Sequence, residues 1–330
     1  MKIYANNHTT MTAPQLALVT PNCLQPAAAE ANSRPMTYAD AVVQGICRTP
    51  SLPLPLPSPP PPQPQPQPPP RRDPGPLLGR PMVSLPFSQL TLGRSGPPWN
   101  AKGWHTHDSE MVDDPEHGAV LRVRYPKGSG TSRSRGPPGG AGFLATPRGF
   151  PATDVTLHYM VRFAPNFQWS RGGKLPGLAV GEGAASGGRH SARAASCRFV
   201  WQPEGGVVAY VYTPAGVEQP GAYCRQAERK GGRYGDHLFK QAHLRLRPDG
   251  QWNRLIMRIR LNGFEDDGRP RADGVLTVSV NGKAATFSGL VWRRFRDVRV
   301  SHVLFTTFYG GSWTCPTTTH ADFSGFSVTT

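Results

Sequence analysis

The sequence has no CxxC pair among its five cysteines, Cys23, Cys47, Cys197, Cys224 and Cys315. A structural zinc site needs closely spaced ligands, so none is expected. Cys224 and Cys315 can pair in an oxidising compartment, or they can remain thiols. Long apolar runs are also missing. Nothing approaches the roughly 20 apolar residues of a membrane-spanning helix, so no membrane partner is expected. The start, Met1-Lys2-Ile3-Tyr4-Ala5-Asn6, lacks the apolar run of a secretory signal peptide, and Leu16-Ala17-Leu18-Val19 is too short to replace it. No long stretch repeats apolar residues at helical spacing. That argues against a helix bundle and against the crossover helices of a parallel sheet.

Acidic side chains are few. Against 37 Lys and Arg stand 21 Asp and Glu, a formal net charge of +16. Residues 1–96 hold seven basic and three acidic side chains, so +12 of that excess belongs to the rest of the chain. A basic domain attracts polyanions: nucleic acid, an anionic membrane surface or an acidic polysaccharide. Charge alone does not choose among them.

The 37 prolines crowd into the first third. Residues 1–50 are polar and Ala-rich without a sustained period, and read as a disordered N-terminal segment. Residues 51–96 read as a Pro-rich linker. Its run SLPLPLPSPPPPQPQPQPPP at 51–70 must be extended, because proline locks φ and removes backbone donors. A spacer is the plain reading, and a Pro-rich ligand for a partner domain the sharper one. From about Trp99 the composition changes, so residues 97–330 are expected to form one domain with a full core.

Within that domain, short runs alternate at period two between Gly, Pro, Asn and Asp clusters. Val155, Leu157, Tyr159, Val161 and Phe163 form one such stripe. Leu255, Met257, Ile259 and Leu261 form another, with Arg254, Arg258 and Arg260 on the opposite face. Leu276, Val278 and Val280 lead into the hairpin turn Asn281-Gly282. Val303 to Tyr309 and Phe323 to Val328 are further strand candidates. The expected fold class is all-β, an antiparallel sandwich.

The segment from Ser196 to Tyr212 reads as a hairpin around Pro203-Glu204-Gly205, where Pro presets the first turn position and Gly accepts a positive φ at the third. That register sets Arg198 opposite Tyr210 and Ser196 opposite Tyr212. These four share one face, and Cys197, Phe199, Trp201, Val207, Ala209 and Val211 line the other as a core stripe. A loop one residue longer would separate the tyrosines from Arg198.

A cation beside two phenols suits β-elimination from a uronate. The sugar carboxylate must be neutralised before the neighbouring carbon can lose its proton, which Arg or Lys does by charge-assisted hydrogen bonding. Tyr can then act as base or as acid if nearby cations lower its pKa. A second cation is Lys174, in Arg171-Gly172-Gly173-Lys174-Leu175-Pro176-Gly177-Leu178. The phosphate-loop pattern is not met there, and no helix follows.

Taken together, Gly172-Gly173-Lys174-Leu175-Pro176-Gly177, Ser196-x-Arg198, Tyr210-x-Tyr212 and Phe305-Thr306-Thr307-Phe308-Tyr309-Gly310-Gly311-Ser312 resemble the signature segments of polysaccharide lyase family 14. The resemblance spans roughly Trp99 to the C-terminus. It implies a β-jelly roll with a substrate cleft on a concave sheet. It also implies catalytic roles for Lys174, Ser196, Arg198, Tyr210 and Tyr212, with Ser196 orienting one of the tyrosines. No metal or other cofactor is implied, and the expected partner is an acidic polysaccharide bound by a monomer. An extracellular location is implied too, although no signal peptide is visible. Tyr309 and Trp313 are candidates to stack on sugar rings, with core packing as the alternative.

Three readings remain. The first is a lyase on alginate-like or glucuronan-like chains. The second is a lectin-like jelly roll that holds such a polymer without cutting it. The third, nucleic-acid binding through the basic charge, ranks last because no nucleic-acid motif is present. His105-Thr106-His107-Asp108 alternates as two metal ligands would, but no second cluster accompanies it, so no metal site is expected.

Overall fold

The computed structural model describes residues 82–90, 96–105, 108–131, 136–228, 233–248 and 250–330. Residues 1–50, the proline run at 51–70, and the side chains of His105 and His107 lie outside this set.

The described residues form two eight-stranded sheets. One runs β14 (Lys283–Leu290), β13 (Gly274–Val280), β12 (Trp252–Arg260), β6 (Asp154–Phe163), β16 (Thr319–Thr329), β4 (Gly118–Tyr125), β3 (Ser109–Asp114), with β1 (Met82–Ser84) also paired to β16. The other runs β10 (Asp236–Leu238), β9 (Gly206–Tyr212), β8 (Ala194–Trp201), β7 (Gly173–Gly181), β15 (Val300–Tyr309), β5 (Ala141–Ala145), β2 (Ala101–His105), with β11 (Leu244–Arg245) also on β9. The named pairings are antiparallel throughout, so the fold is the all-β antiparallel sandwich expected from the alternation, in the jelly-roll form that the family resemblance implies. A single α-helix is described, α1 (Gly221–Gln226).

The alternation explains the elements. Along β6 every second residue is buried, from Val155 to Phe163. The β12 stripe Leu255, Met257 and Ile259 is fully buried, while its arginines face the other way. Asn281 (φ 53°) and Gly282 (φ 87°) make the tight turn between β13 and β14. Rings from both sheets meet between the layers. Phe305 of β15 stacks on Phe143 of β5 at 4.4 Å and meets Phe323 of β16 edge-on at 5.1 Å.

One expectation shifts, and one open alternative closes. Residues 82–90 fall within the expected Pro-rich linker of residues 51–96, yet β1 pairs with β16, and Leu85 and Phe87 are buried in the core. The domain therefore starts before residue 97, because these apolar side chains cover part of the interior. Cys315 is a buried free thiol, as is Cys197, so a Cys224–Cys315 disulfide is not formed. Burial pushes the Cys315 thiol up to about 11.

Candidate active site

The site is built on β7, β8 and β9. The turn between β8 and β9 is Pro203–Gly205, with Glu204 at φ 56° and Gly205 at φ 72°. Gln202 N–H closes it by donating to the Gly206 carbonyl at 2.7 Å. The resulting register sets Ser196 opposite Tyr212 and Arg198 opposite Tyr210. Cys197, Phe199, Trp201, Val207, Ala209 and Val211 face the main core. Tyr210 and Tyr212 belong instead to a separate cluster with Ala185, Ala194, Val200 and Val208, on the other side of the sheet.

Lys174 joins this face through a bulge. It pairs with Val200, whereas Gly177 pairs with Arg198, so three steps on β7 match two on β8. The extra residue restores Lys174 and Gly177 to the same side. Gly177 has no room for a side chain: a Cβ would lie 2.0 Å from the Cys197 carbonyl and 2.6 Å from the Arg198 Cα. The glycine thus lets β8 close on β7 where Arg198 projects. Lys174 Nζ stands 4.1 Å above the centre of the Tyr210 ring, and the Arg198 guanidinium carbon lies 5.8 Å from the same centre.

Arg198 is 4% exposed. Its Nη1 donates to Thr306 Oγ1 of β15 at 3.3 Å, and its buried Nε has no hydrogen-bond partner among the described residues. No carboxylate pairs with it among the described residues. Burial depresses its pKa, partly offset by Tyr210, Tyr212 and Cys197. A buried cation without a counter-ion is costly, and an incoming anion relieves that cost.

The two phenols touch at 3.3 Å, oxygen to oxygen. Each oxygen also accepts a backbone N–H, Tyr212 from Gly188 at 3.1 Å and Tyr210 from Gly235 at 3.2 Å. At Tyr210 the pull of the nearby cation on the phenol pKa does not prevail. Burial, then the charge and hydrogen bond of Tyr212, push it well above an ordinary phenol, outweighing Arg198 and the Gly235 amide. Ser196 does not contact either phenol by hydrogen bonding. Fully buried, its hydroxyl donates to the Ala185 carbonyl at 2.6 Å, so it ties down the loop at 182–193. That loop carries Gly188, so Ser196 acts on Tyr212 only at one remove.

Trp313 Nε1 donates to the Gly172 carbonyl at 2.8 Å, which puts the partly exposed indole at the Lys174 end of the patch. Tyr309 must be corrected. Alternation from Val303 turns Phe305, Thr307 and Tyr309 inward, and Tyr309 is fully buried, its ring 5.3 Å from both Phe167 and Trp201. Its hydroxyl donates to the Gln168 carbonyl. Tyr309 is a core residue and offers no face to a sugar.

The family profile described as Polysaccharide lyase 14 matches residues 113–326. The chain belongs to polysaccharide lyase family 14. Among solved structures, it is similar to the alginate lyase vAL-1 from a Chlorella virus, at 32% identity and a TM-score of 0.67, over 75% of this chain and 98% of that one. It also resembles the family 14 alginate lyase of Aplysia kurodai, at 25% identity and a TM-score of 0.60, over 70% and 90% of the two chains. A search of curated proteins finds no match.

Sequence reasoning missed several groups in this lyase. Thr306 holds Arg198, and its place in the Phe305–Ser312 motif was the available signal. His237 is opposed to Tyr210 from β10. The Gly188 and Gly235 amides reach the phenols from loops, where no periodicity marks them. Among the described residues, no helix is long and apolar enough to cross a membrane.

Proposed function

We propose that this lyase cleaves uronate-containing polysaccharide of the alginate type by β-elimination, without a metal. The observation that carries the reading is Arg198, buried, without a paired carboxylate among the described residues, and directly opposed to Tyr210. Such a guanidinium suits a sugar carboxylate. The similarity to two alginate lyases supports this substrate class.

In the reaction, Arg198 and Lys174 neutralise the carboxylate and so favour loss of the proton on the adjacent carbon, C5. A base of the phenol pair takes that proton. The electron pair forms the C4–C5 double bond, the glycosidic C4–O bond breaks, and the departing oxygen receives a proton. Tyr210, whose proton is held by burial and by Tyr212, is the donor to that oxygen. With Tyr210 as the acid, Tyr212, 3.3 Å away and held by the Gly188 amide, is left as the base. Ser196 holds the loop that covers it. Trp313 flanks the Lys174 end as a sugar-stacking surface. The scheme needs only these side chains.

The test is absorbance of the new double bond in the near ultraviolet, on polymannuronate, polyguluronate and polyglucuronate, with and without a chelator. A chelator-insensitive rise on an alginate polymer is expected. No rise on any polymer at any pH would overturn the lyase reading, and retained binding without turnover would favour the lectin-like alternative.

A further inference from the structure

On the far side of Tyr210 from Arg198 stands His237. The two are directly opposed across β9 and β10, so one row of the sheet reads Gly177, Arg198, Tyr210, His237. Directly opposed side chains of an antiparallel pair share a face and touch. The imidazole is 9% exposed, and its ring meets the Tyr210 ring edge-on, centroids 5.3 Å apart at 72°. From the same short segment, Gly235 N–H donates to the Tyr210 oxygen at 3.2 Å. The edge strand β10 thus packs against the phenol ring through a side chain, and the residue just before it reaches the phenol oxygen through its backbone amide. The strand's own place is fixed by two hydrogen bonds with Glu228, at 2.9 and 3.0 Å.

We propose that His237 is a positioning residue for Tyr210: it sets the ring between Arg198 and Lys174 so that the phenol oxygen stays on the Gly235 amide. The inference rests on the lyase reading above. A phenol on a sheet surface can swing about χ1 and χ2. Lys174 over the ring face and Tyr212 at the oxygen limit that motion from two directions, and His237 closes the third. The role is one of shape, because His237 is nearly buried and meets the Tyr210 ring edge-on. The charged and titratable groups nearby are Arg198, Tyr210, Tyr212 and Lys174 on the sheet face, with Asp236 beside His237 and Glu228 across the bridge.

The test compares the full-length protein with His237→Ala and His237→Phe on the polyuronate that the wild type cleaves best, with thermal unfolding and circular dichroism as fold controls. A positioning role predicts that His237→Ala lowers kcat at least tenfold while KM changes less than about twofold. His237→Phe, which keeps an aromatic ring against Tyr210, restores most of kcat and leaves the pH–rate profile in place. Wild-type kcat in a folded His237→Ala overturns the proposal. So does a change confined to KM, which would place His237 on the substrate. So does a folded His237→Phe as weak as the alanine variant, which would make the imidazole's chemistry the point. Should His237→Ala not fold, the phenylalanine variant decides alone, through its kcat and pH profile. A wild type without activity is the failure of the lyase reading and is seen before any variant is compared.

Discussion

Arg198 and Tyr210 are directly opposed partners of two antiparallel strands, and the phenol ring they share with Lys174 has one cation 5.8 Å and the other 4.1 Å from its centre. Among the described residues, the buried guanidinium has a threonine hydroxyl and no carboxylate. Replacing it with methionine keeps much of the stem and removes the charge. We expect Arg198→Met to lower kcat/KM about 100-fold or more. Its thermal midpoint should hold or rise, since an uncompensated buried charge has gone. Activity by the ultraviolet assay and unfolding by calorimetry check both halves. A variant of unchanged activity would remove Arg198 from the chemistry.

Tyr210 keeps its proton above the ordinary phenol value of about 10, through burial and then through Tyr212. A group that must donate a proton fails when it loses it. The alkaline decline of kcat due to this group should therefore lie above pH 10, with no loss from it between neutrality and that point. Tyr210→Phe should reduce kcat roughly 100-fold or more at every pH below that decline, the usual worth of a general acid. Half-maximal activity in that variant would exclude the assigned role.

The sandwich and the β8–β9 face were readable because both rest on period two and on counting residues through a turn. Pro203-Glu204-Gly205 fixes the register, and the register fixes which side Arg198 and the tyrosines take. Tyr309 was readable by the same rule: of the two readings open for it, sugar stacking or core packing, parity from Val303 selects the core. The Lys174 bulge was not readable. Strict alternation puts Lys174 with Pro176, and only the pairing with β8 and β15 shows that Lys174 and Gly177 share a face. His237 lies on a strand too short to show a period, and its partner is set by the whole sheet.

Phe87 shows what the misplaced boundary means for stability. Its ring stacks on Trp99 at 5.1 Å and meets Phe326 edge-on at 5.4 Å. Phe87→Ala should cost about 3–5 kcal/mol, the usual range for deleting a buried phenylalanine. A chain beginning at residue 97 should be less stable still, having lost β1 and Leu85 as well. Denaturant unfolding measures both. A truncated chain as stable as the full one would return residues 82–90 to the linker.

Acid should act through Asp322, on the sheet opposite the active site. Burial alone would raise its carboxyl, but hydrogen bonds from Arg122 and Arg162 outweigh it, and the net shift is downward. Arg122 Nε donates at 2.8 Å, and Arg162 Nη2 bridges Asp322 and Asp114 at 2.8 Å each. A carboxyl with a folded pKa below its unfolded value near 4 stabilises the fold above that pH, and the contribution is lost as pH falls through the folded pKa. Asp322→Asn should therefore cost about 3 kcal/mol at pH 7, where it leaves two partly buried arginines short of a partner. Its deficit against the wild type should shrink below pH 4, because only the wild type has a proton to take up. Denaturant midpoints from pH 3 to pH 7 test the sign. A deficit that stays constant across that range would show that Asp322 acts through packing and not through its charge.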